Sequence, residues 1–541
     1  MKKIKVFNAL LFTLSLIFFG YIFFIQCIRY RYYQDISRRA HQKKMILYGA
    51  RGNIFDRNAV PLALSEPCFS IFCTPLYSRN KEKLIRSIAQ ISERPWSEIK
   101  NLVEKKKFFW IERKVSLKKR DEYLHLDDPS IGYTHDLNRI YNMPEIFGSL
   151  IGKCSIDNQG LEGLELFFDE VLAGKSGFII YQKEPDGDFF PYYRYPEKVP
   201  IPGRDLYLTI DFQFQTILYS NLMACLENEQ ARGAAGLIIN PKTGEILAMV
   251  SINADIKERN LTICDEFEPG STFKFLGLVY ALQTGIKENE RFDTHGGKIT
   301  IANHTIHDYK NLGTLTLRQA IAHSSNVVMV ELSKRFDQES FLLLIKDFGF
   351  TQPTGIELPG EARGRLMKEK NLNDLEFATL LFGQGITCTL LQLAMAYQAV
   401  ANHGVLNKPY LIKKIMDRSR VLYQAKPLRI RRVMDEEIAR KVTDILCSVV
   451  EEGSGIEAKI EGMKIAGKTG TAQKAIDGKY SNSAVIATFI GYFPAENPEY
   501  LVALLVDEPK KGAWAGTIVA PVFKKVAQSI CQLTNLQYAI K

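Results

Sequence analysis

Phe267-Glu268-Pro269-Gly270-Ser271-Thr272-Phe273-Lys274 is the stretch on which the reading of the whole chain turns. Its Pro-Gly turn stands directly before an apolar run that ends near Gly285. That run is hydrophobic on nearly every face, which predicts a helix buried inside a domain. Ser271 falls in the first turn of this helix, and Lys274, three residues on, projects from the same face. A serine hydroxyl is a weak nucleophile until a base within hydrogen-bond reach takes its proton. A lysine serves as that base where burial, a helix N-terminus or a second cation disfavours its charged form.

Single matches to such short patterns carry little. Ser-x-x-Lys recurs at Ser78/Lys81, Ser97/Lys100 and Ser116/Lys119, all in charged stretches that read as solvated helix or loop. Lys-Thr-Gly occurs twice, and the copy at Lys242-Thr243-Gly244 reads as a hairpin turn. Order gives the signal its weight. Ser271 is followed 53 residues later by Ser324-Ser325-Asn326, and Ser324 is followed 144 residues later by Lys468-Thr469-Gly470-Thr471.

Each part of this set has a chemical task. Ser324 is expected to relay a proton between Lys274 and a leaving amine, and Asn326 to donate to a substrate amide and hold Lys274 in place. Lys468 is expected on a strand, where its charge favours unprotonated Lys274 and attracts a carboxylate. Thr469, Gly470 and Thr471 are the expected substrate-binding residues. The missing side chain of Gly470 lets an extended peptide approach the strand edge. The backbone N–H groups of Ser271 and Thr471 are the expected oxyanion hole.

Composition narrows the setting. At 541 residues the chain has room for two to four domains, and 46% hydrophobic with 24% charged residues describes a globular protein. The net charge of +10 and pI near 8.9 invite a nucleic-acid reading. Location argues against it: residues 1–50 carry +8, on both sides of an apolar segment, and the remainder only +2. That charge suits anionic lipid headgroups, and no nucleic-acid partner is expected. Nine cysteines show no CxxC pair and no zinc-like spacing with histidine, so neither metal nor cofactor is expected. Their redox state stays open; Cys68 and Cys73, on one extended strand, would point to opposite faces.

Val6 to Ile28 contains no charged residue and is long enough to cross a hydrocarbon core. It lacks the short apolar region and small-residue cleavage site of a signal peptide, so an uncleaved anchor is expected. The organisation reads as a cytoplasmic tail (1–5), a transmembrane helix (6–28), a mixed N-terminal pedestal (29–205) and a C-terminal domain (206–541). Ile201-Pro202-Gly203-Arg204-Asp205 marks the last boundary. Beyond it, Ala234–Ile239 and Glu245–Val250 form a predicted hairpin, and Ala484–Phe493 and Tyr500–Asp507 close the chain as two more β-runs. Strands first and last with helices between predict an α+β domain on an antiparallel sheet.

With these motifs in order, the chain resembles the class B, monofunctional penicillin-binding proteins, most closely the cell-division type. Arg51-Gly52-Asn53-Ile54-Phe55-Asp56-Arg57-Asn58 is similar to the family's N-terminal motif, with Ala59 where glycine is usual. Gly160-Leu161-Glu162-Gly163-Leu164-Glu165 and Leu172-Ala173-Gly174 match the end of its pedestal, and Phe382-Gly383-Gln384-Gly385-Ile386, Gln392-Leu393-Ala394, Ala401-Asn402-His403-Gly404 and Ala520-Pro521-Val522-Phe523 match its catalytic part. Asn142 stands where proline often follows Tyr141, and Trp514-Ala515-Gly516 replaces a more usual Gly-Gly. The resemblance implies the transpeptidase fold and a peptidoglycan D,D-transpeptidase. Ser271 would attack the penultimate D-Ala carbonyl of a D-Ala-D-Ala stem, expel the terminal D-Ala and pass the acyl group to a neighbouring amine, with β-lactams as covalent inhibitors. It also implies a bacterial cytoplasmic membrane location with the catalytic domain on the outer, periplasmic side. Its implied partners are a membrane glycan polymerase of the SEDS type and other division proteins. The rival readings are an elongation-type transpeptidase, a membrane-bound β-lactamase or D,D-carboxypeptidase, and a non-catalytic β-lactam sensor.

Overall fold

The computed structural model describes residues 1–183, 189–191, 197–253, 259–476, 479–512 and 514–536. The chain divides into two compact units, each assembled from separate segments. One holds Met1–Arg51, Glu66–Asn138 and Ala173–Gly203; the other holds Gly52–Ser65, Arg139–Leu172 and Arg204–Lys541.

In the first unit, helix α1 (Lys2–Phe23) continues through a π turn at Phe24–Ile28. Together they form a helix long and apolar enough to cross a membrane, with its side chains unburied, as a single-pass anchor requires. Further on, helices Lys81–Ser92 and Trp96–Lys105 pack with strand Phe109–Val115 around a small core that includes Ile71, Ile88, Ile99 and Tyr123. Asn80 caps the first of these helices by accepting from the Lys83 N–H. Ser97 and Lys100 lie on the second, and Ser116 caps the short helix Leu117–Leu124, so these Ser-x-x-Lys copies are helix surface and helix cap. Cys68 and Cys73 are both buried, on a strand whose register breaks between Phe69 and Ile71 and again between Ile71 and Phe72. None of the nine cysteines forms a disulfide.

The second unit is built on one five-stranded sheet. In chain order its main elements are α2 (Phe212–Glu229), β1 (Gly233–Ile239), β2 (Ile246–Asn253), α3 (Lys274–Gln283), α4 (Asn326–Ser333), α5 (Leu390–Ala401), α6 (Glu436–Glu451), β3 (Ala466–Ile476), β4 (Lys479–Phe493), β5 (Tyr500–Asp507) and α7 (Ala520–Thr534). The strand order is β2-β1-β5-β4-β3, antiparallel throughout. Strand alternation feeds two cores. Leu237, Ile490 and Ala503 face one that includes α3, α5 and α6, whereas Ile238, Phe489 and Val502 face another built with α2 and α7. Both faces are therefore covered, and β3 is left as an edge strand.

The N-terminal sequence motifs also meet inside this unit. Buried Arg139 pairs with buried Glu165 at 2.7 Å and donates to the Gly52 carbonyl at 2.8 Å, so three motifs distant in sequence share one guanidinium. Asp56 accepts from the backbone of Asn58, Val60 and Phe212, closing a turn in which Ala59 has φ +67. The left-handed backbone explains why glycine is usual there. Alanine in that position costs on the order of 1 kcal/mol.

Candidate active site

Ser271 sits in a 3₁₀ turn, Gly270–Phe273, that feeds directly into α3. Every residue of α3 from Lys274 to Leu282 is buried, as the all-round apolar pattern predicts. The turn is fixed from several sides. The Tyr397 hydroxyl donates to the Thr272 carbonyl at 2.6 Å, and the Thr272 hydroxyl donates to Pro269 O at 2.6 Å. Gly383, at φ +83, lies so close that an added Cβ would fall 2.3 Å from Gly270 O. Ser271 opens onto a cleft of about 350 Å³ that it lines together with Glu268, Asn326, Gln384, Thr471 and Trp514.

Lys274 and Lys468 both converge on Ser324. Lys274 Nζ donates to Ser324 O (2.5 Å) and Asn326 Oδ1 (2.7 Å) and lies 3.1 Å from Ser324 Oγ. Lys468 Nζ approaches the same Oγ at 3.1 Å. Both lysines are fully buried. Burial pushes the Lys468 amine down to about 7, and burial together with the neighbouring Lys468 charge holds Lys274 well below the ordinary lysine range. Asp308 acts on Lys274 in the opposite direction.

Among the described residues Lys274 makes no hydrogen bond to Ser271. Its amine is hydrogen-bonded to Ser324 and Asn326, at the N-terminus of α4.

Gly470 is tightly packed on the side its Cβ would occupy. A Cβ there would lie 2.6 Å from Thr488 Oγ1, 2.7 Å from Thr272 Cγ2 and 2.9 Å from Pro269 O. The missing side chain makes room for the Ser271 turn. Thr469 is buried with its hydroxyl 2.8 Å from Ser454 Oγ, and neither Thr469 nor Gly470 lines the cleft. Thr471 does line it, on the edge strand, with its hydroxyl accepting from the Ala515 N–H at 3.1 Å.

The family model for the penicillin binding protein transpeptidase domain matches residues 234–528, and that for the penicillin-binding protein dimerisation domain matches residues 46–208. The chain belongs to the class B penicillin-binding proteins. It is 33% identical over 493 residues to stage V sporulation protein D of Bacillus subtilis, covering 87% of this chain and 76% of that protein. To the peptidoglycan D,D-transpeptidase FtsI of Escherichia coli it is 30% identical over 510 residues, 90% of this chain and 84% of the relative. Among solved structures, penicillin binding protein 3 from Mycobacterium tuberculosis complexed with aztreonam superposes with TM-score 0.72 at 25% identity, covering 92% of this chain and 98% of that one.

In this penicillin-binding protein several residues at the site carry no sequence signal. Asp308 accepts from the Asn326 N–H (2.5 Å), the Val327 N–H (3.1 Å) and the Ser325 hydroxyl (2.6 Å), and so anchors the first turn of α4. Ser324, just before it, is held at φ +59, a strained value for a serine. Glu268, three residues before Ser271, belongs to no pattern that assigns it a role. Its carboxylate accepts from the Gly385 N–H and from the Tyr480 hydroxyl. Trp514 lines the cleft and is largely exposed. A larger cavity of about 650 Å³, lined by residues such as Tyr141, Phe147, Tyr219 and Met223, shares no residue with the cleft.

Proposed function

We propose that this protein is a serine D,D-transpeptidase that cross-links peptidoglycan stem peptides, with Ser271 as nucleophile and Lys274, Ser324, Asn326 and Lys468 as its proton-handling and positioning partners. The observation that carries the reading is the buried Lys274–Ser324–Lys468 chain beside the serine-bearing turn.

The hydrogen bonds of the three residues support this division of labour. A neutral Lys274 amine has two N–H donors and one lone pair. Its donors suit Ser324 O and Asn326 Oδ1, which leaves the lone pair for a hydroxyl proton. Ser324 Oγ then donates to Lys274 and accepts from protonated Lys468. Rotation of the Ser324 hydroxyl frees the Lys274 lone pair for the Ser271 proton. Ser271 Oγ attacks the penultimate D-Ala carbonyl, and the proton passes through Lys274 and Ser324 to the nitrogen of the departing D-Ala. The Ser271 and Thr471 N–H groups stabilise the oxyanion. An amine of a second stem then displaces Ser271 by the reverse route. β-Lactams acylate the same serine, as the penicillin-binding name of the family implies.

The division-type assignment is supported by the similarity to FtsI along most of both chains. The apolar helix anchors the chain in the bacterial cytoplasmic membrane, with the catalytic unit on the periplasmic side where its substrate is. A membrane glycan polymerase of the SEDS type is the expected partner of the helix and pedestal. The test is a transfer assay with a D-Ala-D-Ala peptide donor and an added amine. Wild-type protein releases D-Ala and forms the new amide, whereas folded Ser271→Ala does neither; turnover by that variant contradicts the proposal.

A further inference from the structure

Transpeptidation needs a second substrate, and the site holds a carboxylate that the acylation chemistry does not use. Glu268 lines the Ser271 cleft and is partly buried. Oε1 accepts from the Gly385 N–H at 2.8 Å, and the Tyr480 hydroxyl lies 3.2 Å from Oε1 and 3.1 Å from Oε2. A carboxylate offers about four acceptor positions, so two donors leave capacity for a third. Among the described residues no cation pairs with it. Burial raises its carboxyl above the ordinary range, which makes it a better proton acceptor than a solvated glutamate.

The position of Glu268 is the second half of the argument. Both of its donors, Gly385 and Tyr480, line an adjoining cavity of about 450 Å³ whose walls include Ile306, Met367 and Leu375. Gln384 lines this cavity and the Ser271 cleft alike. Glu268 therefore stands where the two spaces meet. With the Ser271 cleft taken by the donor stem, the adjoining cavity would remain as a separate approach to the acyl carbonyl.

We propose that Glu268 is the acceptor-binding residue: its carboxylate receives the protonated primary amine of a second stem peptide that enters through the adjoining cavity. The proposal rests on Ser271 as the acylated nucleophile. An ammonium cannot attack, so it first gives one proton to Glu268. The amine nitrogen then bonds to the acyl carbonyl, the carbonyl–Oγ bond breaks, and the second amine proton reaches Ser271 Oγ through Lys274. Glu268 returns its proton to water, which completes the balance.

The test compares the fates of one acyl-enzyme, formed from a D-Ala-D-Ala peptide donor. Water, a primary alkylamine and hydroxylamine are offered as acceptors at neutral pH, where the alkylamine is charged and hydroxylamine is not. In Glu268→Gln, which keeps an acceptor for the Gly385 N–H, the ratio of alkylamine transfer to hydrolysis is expected to fall by at least about tenfold, the size of one charge-assisted hydrogen bond. The hydroxylamine ratio is expected to change by less than about twofold, and Glu268→Asp to recover part of the alkylamine loss. An unchanged alkylamine ratio, or an equal fall for both amines, overturns the proposal. If Glu268→Gln does not fold, Tyr480→Phe decides: retention of the alkylamine ratio supports a charge-based role, and its collapse assigns Glu268 a purely structural one. Failure of the wild-type protein to form any acyl-enzyme would instead count against the serine reading itself.

Discussion

Lys-Thr-Gly occurs at residues 242–244 and again at 468–470, and the two copies share nothing but their letters. The first is a turn between β1 and β2. Asn240 Oδ1 accepts from the Lys242 N–H at 3.0 Å, Gly244 adopts φ +84, and the Lys242 side chain is exposed. The second copy lies in extended β3, where Lys468 is fully buried against Ser324 and Gly470 is in close approach to the Ser271 turn. An exposed lysine is a solvated charge; a buried one beside a second lysine is an acid–base group with its proton within reach of reaction. The tripeptide has no intrinsic chemistry, and burial supplies it.

Breaking each copy in turn gives the largest contrast. Lys468→Ala is expected to slow acylation by a fluorescent penicillin by about 10²–10⁴-fold, the usual scale for losing a proton-transfer group. Lys242→Ala should stay within about twofold, since an exposed turn side chain contributes little. Similar rates for the two variants would erase the distinction drawn here.

The glycines separate the copies differently. Gly470→Ala forces a Cβ against Pro269 O and Thr272, so the Ser271 turn has to move. It should cost about 1–3 kcal/mol of stability and also slow acylation. Gly244→Ala strains a left-handed turn and crowds Lys408 O, 2.6 Å from the added Cβ, for a comparable stability loss. Acylation by the folded fraction should nonetheless be unchanged. Denaturant midpoints read alongside acylation rates distinguish the two.

A smaller effect lies in the pH profile. Lys274 works as a base when neutral, so acylation rises with pH as it loses its proton. Lys468 helps to hold Lys274 below the ordinary range. Lys468→Met removes that neighbouring charge, Lys274 titrates higher, and the acidic limb of the acylation profile should move to higher pH. A limb that stays in place would mean that burial alone sets the base.

These contrasts also mark how far the sequence could be read. The β1–β2 turn, the buried α3 and the strand character of Lys468 follow from local pattern, because turn residues and apolar periodicity act over a few positions. The order of the three motifs singles out Ser271, Lys274, Ser324 and Lys468 in the sequence itself. Pairings across long separations were not legible. Asp308 supports Asn326 and Tyr480 meets Glu268 only after folding, and neither residue stands in a distinctive local pattern. Helix spacing places Lys274 near Ser271 but does not give the hold on its amine by Ser324 and Asn326, which come from a segment about 50 residues away. Likewise, the space beside Gly470 belongs to the protein itself.

The central claim is that Ser271 is the acylated residue, and its most direct measurement is to locate a β-lactam adduct by mass spectrometry after trypsin digestion. Cleavage after Arg259 and Lys274 yields the peptide Asn260–Lys274, in which Ser271 is the one serine. The adduct mass is predicted on that peptide, with fragmentation placing it on Ser271. An adduct mapped to a different residue, or a folded protein that takes up none, would contradict the account.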